Sequence, residues 1–423
     1  MTDVAPIRLT QGVFSRFAVA VSAANVGDGI AVIAWAWTAS LLTRDPFLIA
    51  LLPAALRVPW VIFALPSGVL ADRVDRKRLI VSCDLVRAAA YGLAGMAILL
   101  ALPLAAPLPT GLAQPALYAT LLGLGVLIGC AEVARDNAAQ SMLPSLVPSR
   151  ELERANGWLE SIETVANRLI GPAMGSFLIA LFLPLPFLVI AAAFLIGALL
   201  PAGLTGQFKA QRPRTAAWYT ELADGFRFVV AHPTLRTLAW ITGIWNFFAE
   251  MALIALVLHI QENLGGGATS YGLILAIGAL GAVVGGVLVA PVLTRIHGAT
   301  LAQWLGLTGP PLFVAMALAS GPATVAAAMF LFFLTGVMWN TVSLSYRQRA
   351  VPDEIRGRVN SVYRMFAWGM MPLGLVASGA LVRWAETVIA RDTALILPFL
   401  VAAAGIMILA IFSWRPLGVG LRI

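Results

Sequence analysis

The chain has 423 residues, of which 60% are hydrophobic and only 11% charged, against about 45–50% and 25% in soluble domains. A mean hydropathy of +0.89 and uninterrupted apolar runs of about 20 residues or more exclude a water-soluble globular enzyme and identify a polytopic membrane protein. The net charge of +8 does not describe a nucleic-acid patch: 21 of the 28 Lys and Arg fall in every second connection, three in the other set and four inside predicted helices, a positive-inside distribution.

Each span with its loop takes about 35 residues, so the length allows about twelve spans. Continuous rather than alternating apolar runs favour helices over a barrel. The runs fall near 14–42, 47–71, 79–102, 113–134, 155–183 and 185–205, then 236–262, 268–294, 299–319, 323–346, 359–383 and 393–414. Connections around 73–78, 135–154, 206–236, 295, 347–358 and 415–422 carry the Arg, while 103–114, 183–187 and 319–323 carry no charge. That asymmetry predicts cytoplasmic termini. Arg8 and Arg16 precede a run too long for a cleaved signal. Cys83 and Cys130 lie in apolar runs, and they and the scattered His232, His259 and His297 give no metal spacing.

Residues 206–236 differ from the other connections. Lys209, Arg212, Pro213 and Arg214 precede Trp218, Leu222 and Phe226 at helical spacing, with Glu221 and Asp224 between them. This reads as an interfacial helix joining two halves, or a plain membrane-tethered linker. A shift of 204 aligns Val147-Pro148, Arg154, Asn156 and Gly175 with Val351-Pro352, Arg358, Asn360 and Gly379, at equivalent places in the fifth and eleventh helices. The expected fold is an all-α membrane protein of twelve transmembrane helices in two pseudo-symmetric six-helix bundles, 1–205 and 236–423, joined by 206–235.

The stretch Gly68-Val-Leu-Ala-Asp72-Arg73-Val-Asp75-Arg76-Lys77-Arg78 joins the second and third helices. Gly68 permits close helix approach, Asp72 can face a helix N-terminus, and the cations can pair with acids such as Asp136 across an inner gate. It resembles the G-x-x-x-D-R-x-G-R-K/R loop of the major facilitator superfamily, with Asp75 where that pattern has Gly, as in its enterobactin and macrolide exporter branch. Gly171-Pro172-Ala-Met-Gly175 resembles the helix-five motif of superfamily antiporters, with Asn167 and Ser176 replacing flanking glycines; a plain kink is the other reading. Arg135-Asp136-Asn137 through Leu143-Pro144, and Val351 to Arg358, resemble the same branch, so the likeness spans the chain. It implies alternating access and a monomer.

Charged residues inside helices are costly and usually functional. Asp28 lies about 18 Å beyond Arg16, and Arg57 about 22 Å before Asp72, at 1.5 Å per residue, so the two are expected to meet at mid-depth, as a proton-coupling pair or a packing pair. Asn25 precedes Asp28 by one turn, and Asn246 precedes Glu250 likewise, which puts one polar turn in the first helix of each half. Glu250 is either a substrate or proton site or a protonated carboxyl bonded within the bundle. On the fifth helix Glu160, Thr164 and Arg168 recur every four residues; they line a cavity or are tied up by neighbours. Asp84 and Arg87 read as a local i, i+3 pair, Glu132 and Arg135 as part of the gate around Arg76 and Asp136, and Arg364 as snorkelling to the inner face. Trp35, Trp245 and Trp339 are deep enough to wall an apolar cavity or to serve packing.

No phosphate-binding loop, zinc spacing or catalytic Ser–His pair occurs, so neither an enzyme nor a cofactor is expected. The sequence predicts a secondary transporter exporting a small amphipathic molecule of drug, macrolide or siderophore type. Protons are the expected coupling ion and the bilayer the setting, with no nucleic-acid partner. A metabolite importer and a transport-inactive scaffold or sensor are the alternatives.

Overall fold

The computed structural model describes residues 12–148, 151–204, 208, 218–352 and 355–421. The side chains of Asp72, Glu160, Thr164 and Arg168, the packing of Gly68, and Lys209 to Arg214 lie outside the described residues.

The first half contains α1 (Val13–Leu42), α2 (Pro46–Arg73), α3 (Arg76–Leu100), α4 (Pro115–Met142), α5 (Leu152–Glu163), α6 (Gly171–Leu181) and α7 (Leu185–Ala202). A π turn, Thr164–Ile170, joins α5 to α6 into one span. Pro172 explains it: without an N–H, Pro172 cannot bond the carbonyl of residue 168, and the wider turn resolves the register. The amphipathic α8 (Trp218–Ala231) follows. The second half contains α9 (Pro233–Leu258, extended by a π turn His259–Asn263), α10 (Ala268–Leu293), α11 (Gly298–Ala317), α12 (Pro322–Ala350), α13 (Arg356–Ala385) and α14 (Arg391–Gly420). Among the described residues, eleven spans have the length and hydropathy to cross a membrane. The twelfth is α11, whose 20 residues give about 30 Å of helix.

Local chemistry sets the boundaries. Asp45 caps α2 by accepting from the Phe47 N–H at 3.0 Å, with Pro46 at the first helical position. Asp75 caps α3 by accepting from the Arg78 N–H at 3.0 Å, which gives the departure from the superfamily Gly a structural role. The α4, α12 and α14 helices run past their apolar segments, to Met142, Ala350 and Gly420. Hydropathy marks only the part inside hydrocarbon.

The helices assemble as two six-helix bundles. In the first, α2 packs on α4, α3 on α4 and α7, and α1 on α6 and α7; in the second, α10 packs on α12, α9 on α13 and α14, and α11 on α14. The bundles meet through two related contacts, α2 on α13 and α6 on α10. At the end bearing the uncharged loops, a single apolar core joins both bundles, with Trp37 6.1 Å from Tyr271. Toward the basic face the apolar packing divides by bundle, with clusters around Phe17, Ile80 and Met142 and around Phe14, Leu143 and Ala155 in the first and one around Leu238, Val342 and Val362 in the second. Glycines permit the cross-bundle contact: a Cβ on Gly379 would stand 2.6 Å from the Pro46 carbonyl oxygen, and one on Gly272 would overlap Ser176.

Candidate functional site

The most polar region inside the membrane lies in the first bundle. Arg87 of α3 is fully buried and forms a close ion pair with Asp28 of α1. The Glu132 carboxylate of α4 stands 3.7 Å from the same guanidinium, whose carbon lies 3.8 Å above the Phe194 ring. Glu132 is also 3.7 Å from Arg57 and accepts from the Trp60 indole N–H at 3.3 Å. One helical turn away, Arg135 reaches Asp84 at 3.5 Å and Asp136 at 3.3 Å. Four carboxylates therefore face three guanidiniums across α1 to α4. In a low-dielectric interior such a set persists only when each charge keeps a counter-charge.

Several expected pairings change. Arg57 does not partner Asp28; the fully buried Arg87 does, and Arg57 turns to Glu132. Asp84 and Arg87 do not pair with each other: the first meets Arg135 of α4 and the second Asp28 of α1. Glu132 faces Arg57, Arg87 and Trp60 instead of the basic loop. Arg87 was legible as a charge inside a helix; its place at the centre was not, since periodicity does not say which neighbour a helix face meets.

Asp28 sits where two backbones touch. A Cβ on Gly29 would strike the Asn167 carbonyl of the π turn and approach the Gly171 Cα at 2.9 Å, and one on Gly175 would lie 3.1 Å from the Ile30 carbonyl oxygen. The Gly171, Pro172 and Gly175 motif thus brings the irregular turn of the fifth span against α1 one residue from Asp28. π turns inside α-helices are common at functional sites.

The other expected residues are dispersed. Asn25 bonds its own helix at the Val21 carbonyl, 2.9 Å away, whereas Asn246 donates across to the Ala367 carbonyl of α13 at 2.8 Å. Glu250 on α9 makes no ion pair or hydrogen bond among the described residues, but its charge acts on Arg57 across the bundle interface. At the basic face Arg73 is exposed, Lys77 donates to the Leu204 carbonyl at 3.0 Å, and the Arg76 N–H donates to the Phe208 carbonyl at 3.4 Å. Arg364 stacks on Trp368 at 4.2 Å and donates to Gln140, near the inner end of α4, at 3.1 Å. Trp35 is buried edge-on against Tyr91 and Phe187. Trp245 and Trp339 border a narrow recess of the second bundle, with Ile406 and Ser413.

A second charged cluster, at the face opposite the basic loops, escaped sequence reasoning. Arg44 contacts Gln261 and lies 3.7 Å from Glu262, which holds Arg391 at 2.6 Å. Arg391 also bonds Glu386 at 2.5 Å and the Arg44 carbonyl at 2.7 Å, while Arg383 meets Asp45 at 3.3 Å. Burial pushes the Glu386 carboxyl above its ordinary range, against the pull of Arg391. The signal was present: Arg44-Asp45, Gln261-Glu262, Glu386 and Arg391-Asp392 all end spans on that face. Counting bases alone hid it.

With this geometry in view, comparison with known proteins is informative. A family model described as transmembrane secretion effector, of the major facilitator type, matches residues 1–415. The chain belongs to that family. Among curated relatives, the multidrug efflux pump Tap of Mycobacterium tuberculosis (strain ATCC 25618 / H37Rv) is 26% identical over 379 residues, covering 85% of this chain and 84% of Tap. An uncharacterized MFS-type transporter of Bacillus subtilis (strain 168), YfiS, is 23% identical over 377 residues, with the same coverage of each chain. The solved nucleoside transporter NupG shares the fold, with a TM-score of 0.70 at 13% identity over 96% of this chain and 99% of that one. Family members of this kind are membrane transporters, and the major facilitator fold expected from the 68–78 loop is the fold observed.

Proposed function

We propose that the protein is a proton-coupled exporter of a small amphipathic molecule, working by alternating access in a bacterial inner membrane with the basic face and both termini in the cytoplasm. The observation that carries this reading is the single buried guanidinium of Arg87 shared between Asp28 and Glu132. With both acids ionised, Arg87 is held to Asp28. A proton on Asp28 removes that attraction and leaves Glu132 as the counter-charge, so Arg87 shifts from α1 toward α4. Because α1 touches the π turn beside Asp28, that shift changes how α1 packs on the fifth span, and through α6 it reaches α10 of the other bundle.

In this reading residues 1–205 and 236–423 move as two bodies joined by 206–235, with the 68–78 loop as the inner latch. The cross-bundle ion pairs Arg44–Glu262 and Asp45–Arg383 hold the outer side shut in the present state. Glu250 opposite Arg57 is the second candidate for the coupling or substrate site. The efflux activity named for Tap supports export. A metabolite importer is the alternative that NupG, named as a nucleoside transporter, keeps in view.

The test is uptake into inverted vesicles containing purified protein, with and without a proton gradient, for amphipathic dyes, macrolides and siderophores. Gradient-driven uptake that fails in Asp28→Asn supports the reading. Equal uptake in wild type, Asp28→Asn and Glu250→Gln removes both acids from coupling. Flux only in the opposite direction makes the protein an importer.

A further inference from the structure

Arg364 lies at the bundle interface, and no step above uses it. It projects from α13 of the second bundle, but its surroundings come from both. The guanidinium carbon lies 4.2 Å from the Trp368 ring centroid and 5.4 Å from that of Trp60 on α2. The two indoles pack edge to face at 4.9 Å. The side chain also donates to Gln140 on α4 at 3.1 Å, and the charges of Asp136 and Glu163 act on it. Trp60 is in turn fixed by its bond to Glu132, the acid that ties Arg57 and Arg87. A planar cation on two aromatic faces, with carboxylates behind them, is a cation-binding arrangement; here the protein's own arginine fills it.

Resting on the exporter reading, we propose that the Trp60–Trp368 pair is the binding site for a planar organic cation, and that Arg364 is its built-in competitor. The substrate class is then an aromatic monocation. Its arrival displaces the Arg364 guanidinium from the indoles, and the freed side chain stays near Asp136 and Gln140. The same displacement loosens the link between α13 and both α2 and α4. Occupancy of the site is thereby tied to relative motion of the bundles. A neutral or anionic molecule of the same shape gains nothing from the indole faces and does not replace the guanidinium.

Ethidium is a suitable probe, with fluorescein as a planar anion, and binding to the full chain in lipid nanodiscs can be followed by fluorescence anisotropy. Removing the competitor in Arg364→Gln is expected to tighten ethidium binding about fivefold or more, the scale of one cation–π contact. Arg364→Lys keeps the wild-type affinity within about twofold, and Trp368→Leu weakens it about tenfold. Fluorescein shows no gain in Arg364→Gln. If Arg364→Gln does not fold, Arg364→Met takes its place, and Trp368→Leu reads the site independently. Unchanged or weaker ethidium binding without Arg364, an equal gain for fluorescein, or no ethidium binding in any variant overturns the proposal.

Failure of the exporter reading is separable from failure of this site. Asp28→Asn is expected to lose gradient-driven uptake while keeping wild-type ethidium affinity. The full binding pattern without driven flux in wild type leaves the cation site standing and ends the transport reading. Driven ethidium flux with affinities unaffected at Arg364 and Trp368 does the reverse.

Discussion

In the first bundle Asp28, Arg57, Asp84, Arg87, Glu132, Arg135 and Asp136 are joined by ion pairs inside the membrane. In the second, the hydrogen-bond network around Tyr363 is made of hydroxyls and an indole, with the Arg347 guanidinium 3.7 Å from the Tyr363 ring centroid. The Tyr363 hydroxyl shares hydrogen bonds with Thr242 at 2.5 Å and Ser343 at 3.0 Å and donates to the Leu238 carbonyl at 3.3 Å, while the Trp339 N–H donates to Thr242 at 3.3 Å. A network of hydroxyls and an indole carries no formal charge. An ion-paired network changes net charge when it takes one proton, and in low dielectric that change reorganises its partners. On the exporter reading, the difference places the proton response among the ion pairs of the first bundle, with Glu250 of the second as the other candidate.

Four substitutions break or sharpen that contrast. Arg87→Met leaves Asp28 without its counter-charge and Glu132 with Arg57 alone and is expected to cost about 3–5 kcal/mol, read as a large drop in thermal stability of the detergent-solubilised protein. Adding Asp28→Asn to it should recover a substantial part, since a neutral amide needs no cation. Gly29→Val drives a side chain into the backbone of the π turn and should cost about 1–3 kcal/mol, with transport lost even where the protein folds. Tyr363→Phe removes the hydroxyl hub of the second bundle and should cost about 1–2 kcal/mol, with the pH dependence of transport unchanged. A Tyr363→Phe variant less stable than Arg87→Met would end the contrast.

The smallest stability effect belongs to the outer cluster. Arg391→Gln should cost no more than about 1 kcal/mol, because its partners are solvent-accessible. Its conformational effect should exceed that: spin labels across the outer ends of the bundles should report a larger separated population. Acidification acts in the same direction, because the Glu386 carboxyl is already pushed up and its protonation breaks the bond to Arg391. Outer-face distances that stay constant in Arg391→Gln would remove the latch from the transport cycle.

Most of the fold was legible because a bilayer allows few solutions. Helices are the way to satisfy continuous apolar backbone, and loop charge orients them. The candidate site was legible only in part. Asp28 and Glu250 stand out as acids where acids are costly, and Gly171-Pro172 announces a distorted helix. Hydropathy does not say that α3 presents Arg87 to α1 and Asp84 to α4, so the partners came out differently. The π turn was likewise invisible as such, although Pro172 supplies its cause. The outer cluster was missed for a different reason: its residues end separate spans far apart in sequence, from Arg44 to Arg391, and only the packed bundles bring them together.

The link between the halves sets a mechanical limit. Phe208 is buried beside Phe17, Leu79 and Met142 in the first bundle, and α8 packs against α9 and α13 of the second. Between Phe208 and Trp218 there are ten peptide steps, and at about 3.3–3.6 Å per residue their contour cannot exceed about 35 Å, whatever path they follow. The chain is therefore a leash with a fixed maximum length at the basic face. On the alternating-access reading, separation of the bundles at that face is bounded by covalent geometry before any side chain resists it, and shortening the leash should clip the widest opening while leaving the closed state untouched.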